Sequence, residues 1–189
     1  LPSFPTLRAA DLTEKTVSSS FKDIQTLILE ANEEMAEMAN RDETIVGVPS
    51  GFKDVDALFT GFRGGDLSIL AARPAVGKTS FAMNLAVNAA KLKSAVALFS
   101  LEMSSIQITQ RLLCAEAGIN LSILRGGRIN DSSWGPLFDA SEKLSNINLY
   151  IDDSPSLSII ELRTKARRLM RNVDKGLIIV DYLQLMQPV

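Results

Sequence analysis

The sequence predicts an α/β protein, a mostly parallel sheet flanked by helices, and three observations carry that prediction. Short apolar runs alternate with helical patterns from about residue 67 onward. A loop ending in Gly77-Lys78-Thr79 lies between the first such run and the helix after it. The apolar run Leu177-Ile178-Ile179-Val180 ends on Asp181. Strands that are apolar along their whole length are buried on both faces, which requires helices on either side of a parallel sheet.

Taken in order, residues 1 to about 17 contain Pro and Ser with weak patterning and read as a partly extended arm. Leu1 has no Met before it, so the segment is expected to begin inside a longer protein. Residues 20–40 read as one helix, opened by a capping box from Ser20 to Asp23. Phe21, Ile24, Ile28, Ala31, Met35 and Met38 recur in steps of three and four, an a/d-like stripe. Glu30, Glu33, Glu34 and Glu37 occupy the other faces. Such a helix lies either on its own domain or on a neighbouring subunit, and the pattern fits both.

Residues 44–66 are turn-rich, with a short helix Asp54–Phe59 stopped by Gly61. The strand Leu67–Ala72 and the helix Thr79–Ala90 follow. Next come the strand Ala95–Leu101, the helices Ser105–Ala117 and Trp134–Leu144, and the strand Ile147–Ile151. The helix Leu157–Arg171 and the strand Leu177–Val180 complete the pattern, which contains no internal repeat.

Bulk composition narrows the function. Hydrophobic residues at 46% and charged residues at 22% suit a globular domain with a real core. A net charge of −2 weighs against a stand-alone nucleic-acid module, because neutralising phosphates needs excess Lys and Arg. A ring of subunits can still gather cations around a channel. One cysteine and no histidine exclude an intrachain disulfide, a Cys/His zinc site and any His-dependent catalytic set. Cys114, within an apolar helical stretch, reads as a small buried residue. No apolar run reaches membrane-spanning length and no signal peptide is visible, so a soluble intracellular protein is expected.

The loop Ala72-Arg73-Pro74-Ala75-Val76-Gly77-Lys78-Thr79 follows a strand and opens a helix, the setting a phosphate-binding loop requires. Gly77 lets the backbone approach phosphate oxygens, and the helix N-terminus through Ser80 offers N–H groups and partial positive charge. Lys78 reaches the β- and γ-phosphates, and the Thr79 hydroxyl can ligate Mg²⁺. The general pattern has Gly where this chain has Ala72. Asp181 ends a buried strand and fits the acid that holds Mg²⁺ together with Thr79. Glu102, in Phe99-Ser100-Leu101-Glu102-Met103, also sits just past a buried strand. It is either the base that deprotonates an attacking water or an acid that complements the helix dipole. Gln184, three residues after Asp181, is a candidate γ-phosphate sensor or an ordinary loop residue. The run Arg163, Lys165, Arg167, Arg168 and Arg171 reads as a solvated helix face, and Asp152-Asp153 as a strand-end cap pair.

Several stretches together resemble the hexameric replicative DNA helicases of the DnaB family. They are Gly47-Val48-Pro49-Ser50-Gly51-Phe52 with Asp54 and Asp56, Gly65-Asp66-Leu67, and Ala71-Ala72-Arg73-Pro74 leading into Gly77-Lys78-Thr79. Ser100-Leu101-Glu102-Met103, Leu124-Arg125-Gly126-Gly127, Tyr150-Ile151-Asp152-Asp153 and Asp181-Tyr182-Leu183-Gln184-Leu185-Met186 complete the set. The likeness runs from about residue 44 to residue 187, and family members also carry Ala at the Ala72 position.

The resemblance implies a RecA-like P-loop NTPase core with sheet order 3-2-4-1-5. The Glu102 strand then lies beside the Asp181 strand, which favours Glu102 as the base. It implies a division into an arm and linker helix, 1–43, and a partial RecA-like ATPase domain, 44–189. It further implies ATP and Mg²⁺ as cofactors, and a homo-oligomeric ring of six joined through the linker helix around single-stranded DNA. The location implied is the bacterial cytoplasm, at the nucleoid. The fifth strand, the DNA-facing loops and the arginine finger would lie beyond Val189. Primase and a helicase loader would be met by regions outside this chain. The 189-residue piece by itself is accordingly expected to aggregate or to hydrolyse ATP poorly. Two other readings stay open at this point: a recombination ATPase of the RecA and RadA type, and a nucleotide-binding oligomerisation module with little catalysis.

Overall fold

The structure, a computed structural model, describes residues 21–39, 45–127 and 129–187. The chain divides into two compact units, before and after the Glu43–Thr44 junction. The expected arm, the cap residue Ser20 and the end of the first helix beyond Ala39 lie outside the described residues.

The first unit contains helix α1, Ile24–Ala39. Its cap is Asp23 itself, whose Oδ1 accepts from the Thr26 N–H at 2.9 Å and whose Oδ2 accepts from the Thr26 hydroxyl at 2.7 Å. These bonds hold the Asp23 carboxyl below the usual carboxylate range. Phe21, Ile24, Ile28 and Met35 of the apolar stripe stand exposed.

The second unit runs through α2 (Lys53–Phe59), α3 (Lys78–Lys91), β1 (Ala95–Ser100), α4 (Ser105–Ala117) and α5 (Leu121–Arg125). Then come α6 (Asp131–Ser145), β2 (Leu149–Asp152), α7 (Ile159–Leu169) and β3 (Gly176–Asp181). Short 3-10 turns follow α7 and β3, at Met170–Asn172 and Leu183–Leu185. The sheet is parallel, with order β2-β1-β3. Counting the 67–72 run as a first strand, this is the 3-2-4 part of the expected order, so the Glu102 strand does neighbour the Asp181 strand.

Strand β1 is buried at all six positions. Val96 and Leu98 pack against Ala86, Ala89, Met83 and Val87 of α3 and against Ile108 and Leu112 of α4. Ala97 and Phe99 point the other way, toward Leu157 and Ala166. Period-two alternation with apolar residues at every position thus covers both sheet faces with helices.

Several expectations need correction. Leu67–Ala72 is not a strand: among the described residues it joins no ladder, and Leu67 and Ile69 are 82% and 78% exposed. Apolar content alone does not make a strand, because the backbone needs an aligned neighbour to receive its N–H groups. Helix α2 ends at Thr60, which adopts φ 54° and donates its N–H to the Asp56 carbonyl, so Gly61 is one residue past the stop. Helix α5 was not foreseen from the sequence; Asn120 starts it by accepting the Ser122 N–H at 3.0 Å. Helix α6 starts at Asp131, three residues earlier than the pattern suggested, and α7 starts at Ile159, two residues later.

The segment before the phosphate loop is clipped to α3. Val48 bridges Phe62, and a Cβ on Gly47 would lie 2.2 Å from the Phe62 carbonyl oxygen, so only glycine permits this approach. Asp56 accepts the Ser50 N–H at 2.7 Å and the Gly51 N–H at 3.1 Å. Asn88 donates to the Ser50 carbonyl at 3.3 Å, and Phe52 stacks on Phe81 with centroids 5.0 Å apart. Asp56→Ala leaves two N–H donors without their acceptor, at a position where Asp56 is 9% exposed. The expected loss is about 1–3 kcal/mol of stability, read by denaturant unfolding. A loss under about 0.5 kcal/mol would mean that the clip is ornamental.

Candidate functional site

Three side chains that sequence reading assigned to nucleotide and metal meet at the C-terminal end of the sheet. Gly77 caps α3 with φ 109°, a conformation that L side chains rarely adopt, and Ala75 before it has φ 64°. The loop from Ala72 to Val76 is exposed, with a turn closed by the Val76 N–H on the Arg73 carbonyl at 3.3 Å. Lys78, Thr79 and Ser80 form the first turn of α3, where backbone N–H groups have no intrahelical acceptor. The Ser80 carbonyl accepts from the Asn84 side chain at 3.0 Å.

Asp181 closes β3 and is 7% exposed. Its Oδ2 accepts the Thr79 hydroxyl at 2.7 Å, and its Oδ1 lies 2.9 Å from the Lys78 ammonium. Residues 102 positions apart are therefore in direct contact. The Lys78 ammonium also sits 4.3 Å from the centroid of the Tyr182 ring. A cation over an aromatic face is attracted by the ring quadrupole. Sequence reasoning gave Tyr182 no role, and no spacing signal would have found it.

The oxygen donors suit a hard divalent cation. Mg²⁺ takes one or two protein oxygens and completes its shell with water and phosphate. Thr79 Oγ1 and the Asp181 carboxylate offer that set, and the described residues contain no cluster of three or more acidic, Cys or His ligands.

Glu102 follows β1 by two residues and is exposed. The register pairs Ser100 with Asp181, and the Leu101 N–H donates to the Asp181 carbonyl at 2.8 Å. Gln184 lies exposed on the 3-10 turn after Asp181. Neither Glu102 nor Gln184 makes a hydrogen bond or ion pair with Lys78, Thr79 or Asp181 among the described contacts.

Asp152 and Asp153 both cap. Burial pushes the Asp152 carboxyl up, but Lys165 at 2.6 Å and Ser154 hold it below its ordinary value. Asp153 accepts the Ser105 N–H at 2.7 Å, and hydrogen bonds from Ser105 keep its carboxyl low. Lys165 is thus paired, while Arg163, Arg167, Arg168 and Arg171 are exposed. Cys114 is 3% exposed, and burial pushes its thiol up. Among the described residues no helix is long and apolar enough to cross a membrane.

Comparison with known proteins gives the family and the fold. The replicative DNA helicase DnaB of Geobacillus stearothermophilus is 44% identical over 178 residues, covering 94% of this chain and 39% of that protein. The replicative DNA helicase DnaC of Bacillus subtilis (strain 168) is 42% identical over 178 residues, again 94% of this chain and 39% of that protein. The chain therefore spans about two fifths of these relatives. One solved structure, of an ATPase domain, superposes with TM-score 0.81 at 32% identity, covering 90% of this chain and 60% of that one. A DnaB-like replicative helicase, solved in a study of its interactions with primase, gives TM-score 0.78 at 31% identity, covering 95% and 43%. Both neighbours carry the RecA-like fold. Residues 47–189 match the family described as the DnaB-like helicase C-terminal domain, and the chain belongs to that family.

Proposed function

We propose that this chain is the ATP-hydrolysing motor part of a replicative DNA helicase, which couples turnover to translocation on single-stranded DNA and to duplex unwinding. The contact of Lys78 and Thr79 with Asp181 carries the reading. A cation, a hydroxyl and a carboxylate side by side, between a Gly-Lys-Thr loop and a strand end, support it.

In this reading the backbone N–H groups of residues 75–80 cradle the phosphates, with Lys78 on the β- and γ-oxygens. Thr79 and Asp181 hold Mg²⁺, which when bound neutralises charge on the phosphate oxygens. Glu102 takes the proton of the attacking water. Gln184 follows Asp181 closely enough to report the γ-phosphate to the chain beyond it. The organisation proposed is an arm and linker helix, 1–43, ahead of a partial RecA-like ATPase domain, 44–189. The exposed apolar stripe of α1 would join copies into a hexameric ring around single-stranded DNA. Primase and a loader would engage regions outside this chain. The working location is the bacterial cytoplasm, at the nucleoid.

The recombination-ATPase reading shares the core but not the Ala71-Ala72-Arg73-Pro74 and Ser100-Leu101-Glu102-Met103 stretches. The full-length protein is expected to unwind a forked duplex and to hydrolyse ATP faster with single-stranded DNA present. Strand exchange without unwinding would move it to the recombination class. Turnover indifferent to DNA would favour a nucleotide-binding scaffold.

A further inference from the structure

The loop that carries Glu102 is four residues long, Leu101 to Ser104; β3 and β1 hold the loop itself, and the residue after β2 holds the first residue of the helix that follows it. From β3, the Asp181 carbonyl accepts the Leu101 N–H at 2.8 Å. From β1, Ser100 Oγ accepts the Met103 N–H at 3.2 Å and donates to the Met103 carbonyl at 2.8 Å. From just past β2, Asp153 Oδ2 accepts the Ser105 N–H at 2.7 Å, across 48 positions of sequence. The bonds from β3 and β1 fix the loop before α4, and among the described contacts the bond from Asp153 ties the start of α4 to the segment after β2. Ser105 is the first residue of that helix, so its N–H has no intrahelical acceptor, and a carboxylate there also meets the positive end of the helix dipole. Asp152 beside it does a different job, bonding Lys165 and Ser154.

We propose that Asp153 is a positioning residue for Glu102. By tying the N-terminus of α4 to the end of β2, it closes the loop from the side that Asp181 and Ser100 do not reach. Glu102 is exposed and has no side-chain partner among the described contacts, so its placement depends on the backbone that carries it. The inference rests on the reading of Glu102 as the base. An ordinary helix cap would stabilise α4 and leave the chemical step alone, and this difference is measurable.

The test uses the full-length oligomer, with steady-state ATP turnover, binding of a fluorescent ATP analogue and thermal melting. D153A is expected to lower kcat on the order of 10- to 100-fold, since small displacements of a reacting group cost that much. KM and nucleotide affinity should stay within about threefold, the mark of an interaction felt only in the chemical step. D153N keeps a side-chain oxygen for the Ser105 N–H and should recover most of the loss. D152N should match the parent. If D153A does not assemble, S105P deletes the same N–H at a first-turn position that accepts proline. Ser104 before it already has φ −68° and ψ 152°, the conformation that a following proline prefers. S105P should then show the same split.

Parental kcat in D153A or S105P overturns the inference, as does a fall in melting temperature with unchanged turnover of the folded protein. D153N as defective as D153A overturns the hydrogen-bonded tether. E102Q separates the two levels. If E102Q turns over like the parent, the base assignment fails whatever Asp153 does. If E102Q is inactive while D153A is normal, only the positioning role fails.

Discussion

Glu102→Gln should lower DNA-stimulated ATP turnover by on the order of 10²- to 10⁴-fold, the range that a positioned general base contributes. Nucleotide affinity should hold, because Glu102 touches none of Lys78, Thr79 or Asp181 among the described contacts. Folding should hold too. Glu102 is exposed and is anchored through its neighbours: Leu101 by its N–H on Asp181, Met103 by Ser100, Ser105 by Asp153. Glutamine keeps the shape and removes the basic oxygen. The measurement is phosphate release with and without single-stranded DNA, beside direct binding of ATP. A variant that binds and hydrolyses like the parent would return Glu102 to the status of a helix-dipole acid.

Lys78→Ala should lower turnover by a different route, with a loss of about 10²- to 10³-fold, as for removal of one preorganised electrostatic donor. Here binding should weaken as well, since Lys78 would neutralise phosphate charge in the ground state and in the transition state. A second consequence follows from the ion pair at 2.9 Å. Asp181 is nearly buried, so losing the ammonium leaves its carboxylate with Thr79 alone. Leaving one partner of such a pair uncompensated costs stability. The double variant Lys78→Ala with Asp181→Asn should therefore melt higher than Lys78→Ala alone, although both turn over poorly. Turnover in Lys78→Ala within tenfold of the parent would remove the lysine from the mechanism.

The basic chemistry was legible in the sequence because it is local. Gly77-Lys78-Thr79 between an apolar run and a helix needs no tertiary knowledge, and the capping boxes Ser104–Gln107 and Ser158–Glu161 are equally local signals. Cys114 was rightly read as buried from the apolar helical stretch around it. The misplaced features were those decided by packing or by backbone options shared among residue types. Thr60 is the left-handed stop of α2, its N–H bonded to the Asp56 carbonyl, and Gly61 continues in the same region at φ 86°, so the stop falls one residue ahead of the glycine that the sequence pattern singles out. The 67–72 run has the composition of a central strand, but a ladder needs a partner that composition does not supply.

By itself, then, the sequence determined most of the alternation of elements, the Gly77-Lys78-Thr79 turn into α3 and the acid at the end of β3, because each follows from short-range pattern and side-chain chemistry. The tertiary structure alone decided that Thr79 and Lys78 share the two oxygens of Asp181, with Thr79 reaching it across 102 positions. It also decided that Tyr182 lies under the ammonium and that Asp153 reaches the start of α4. Those contacts depend on parallel register between strands far apart in the chain. Register is set by how whole faces pack, not by any run of residues read alone.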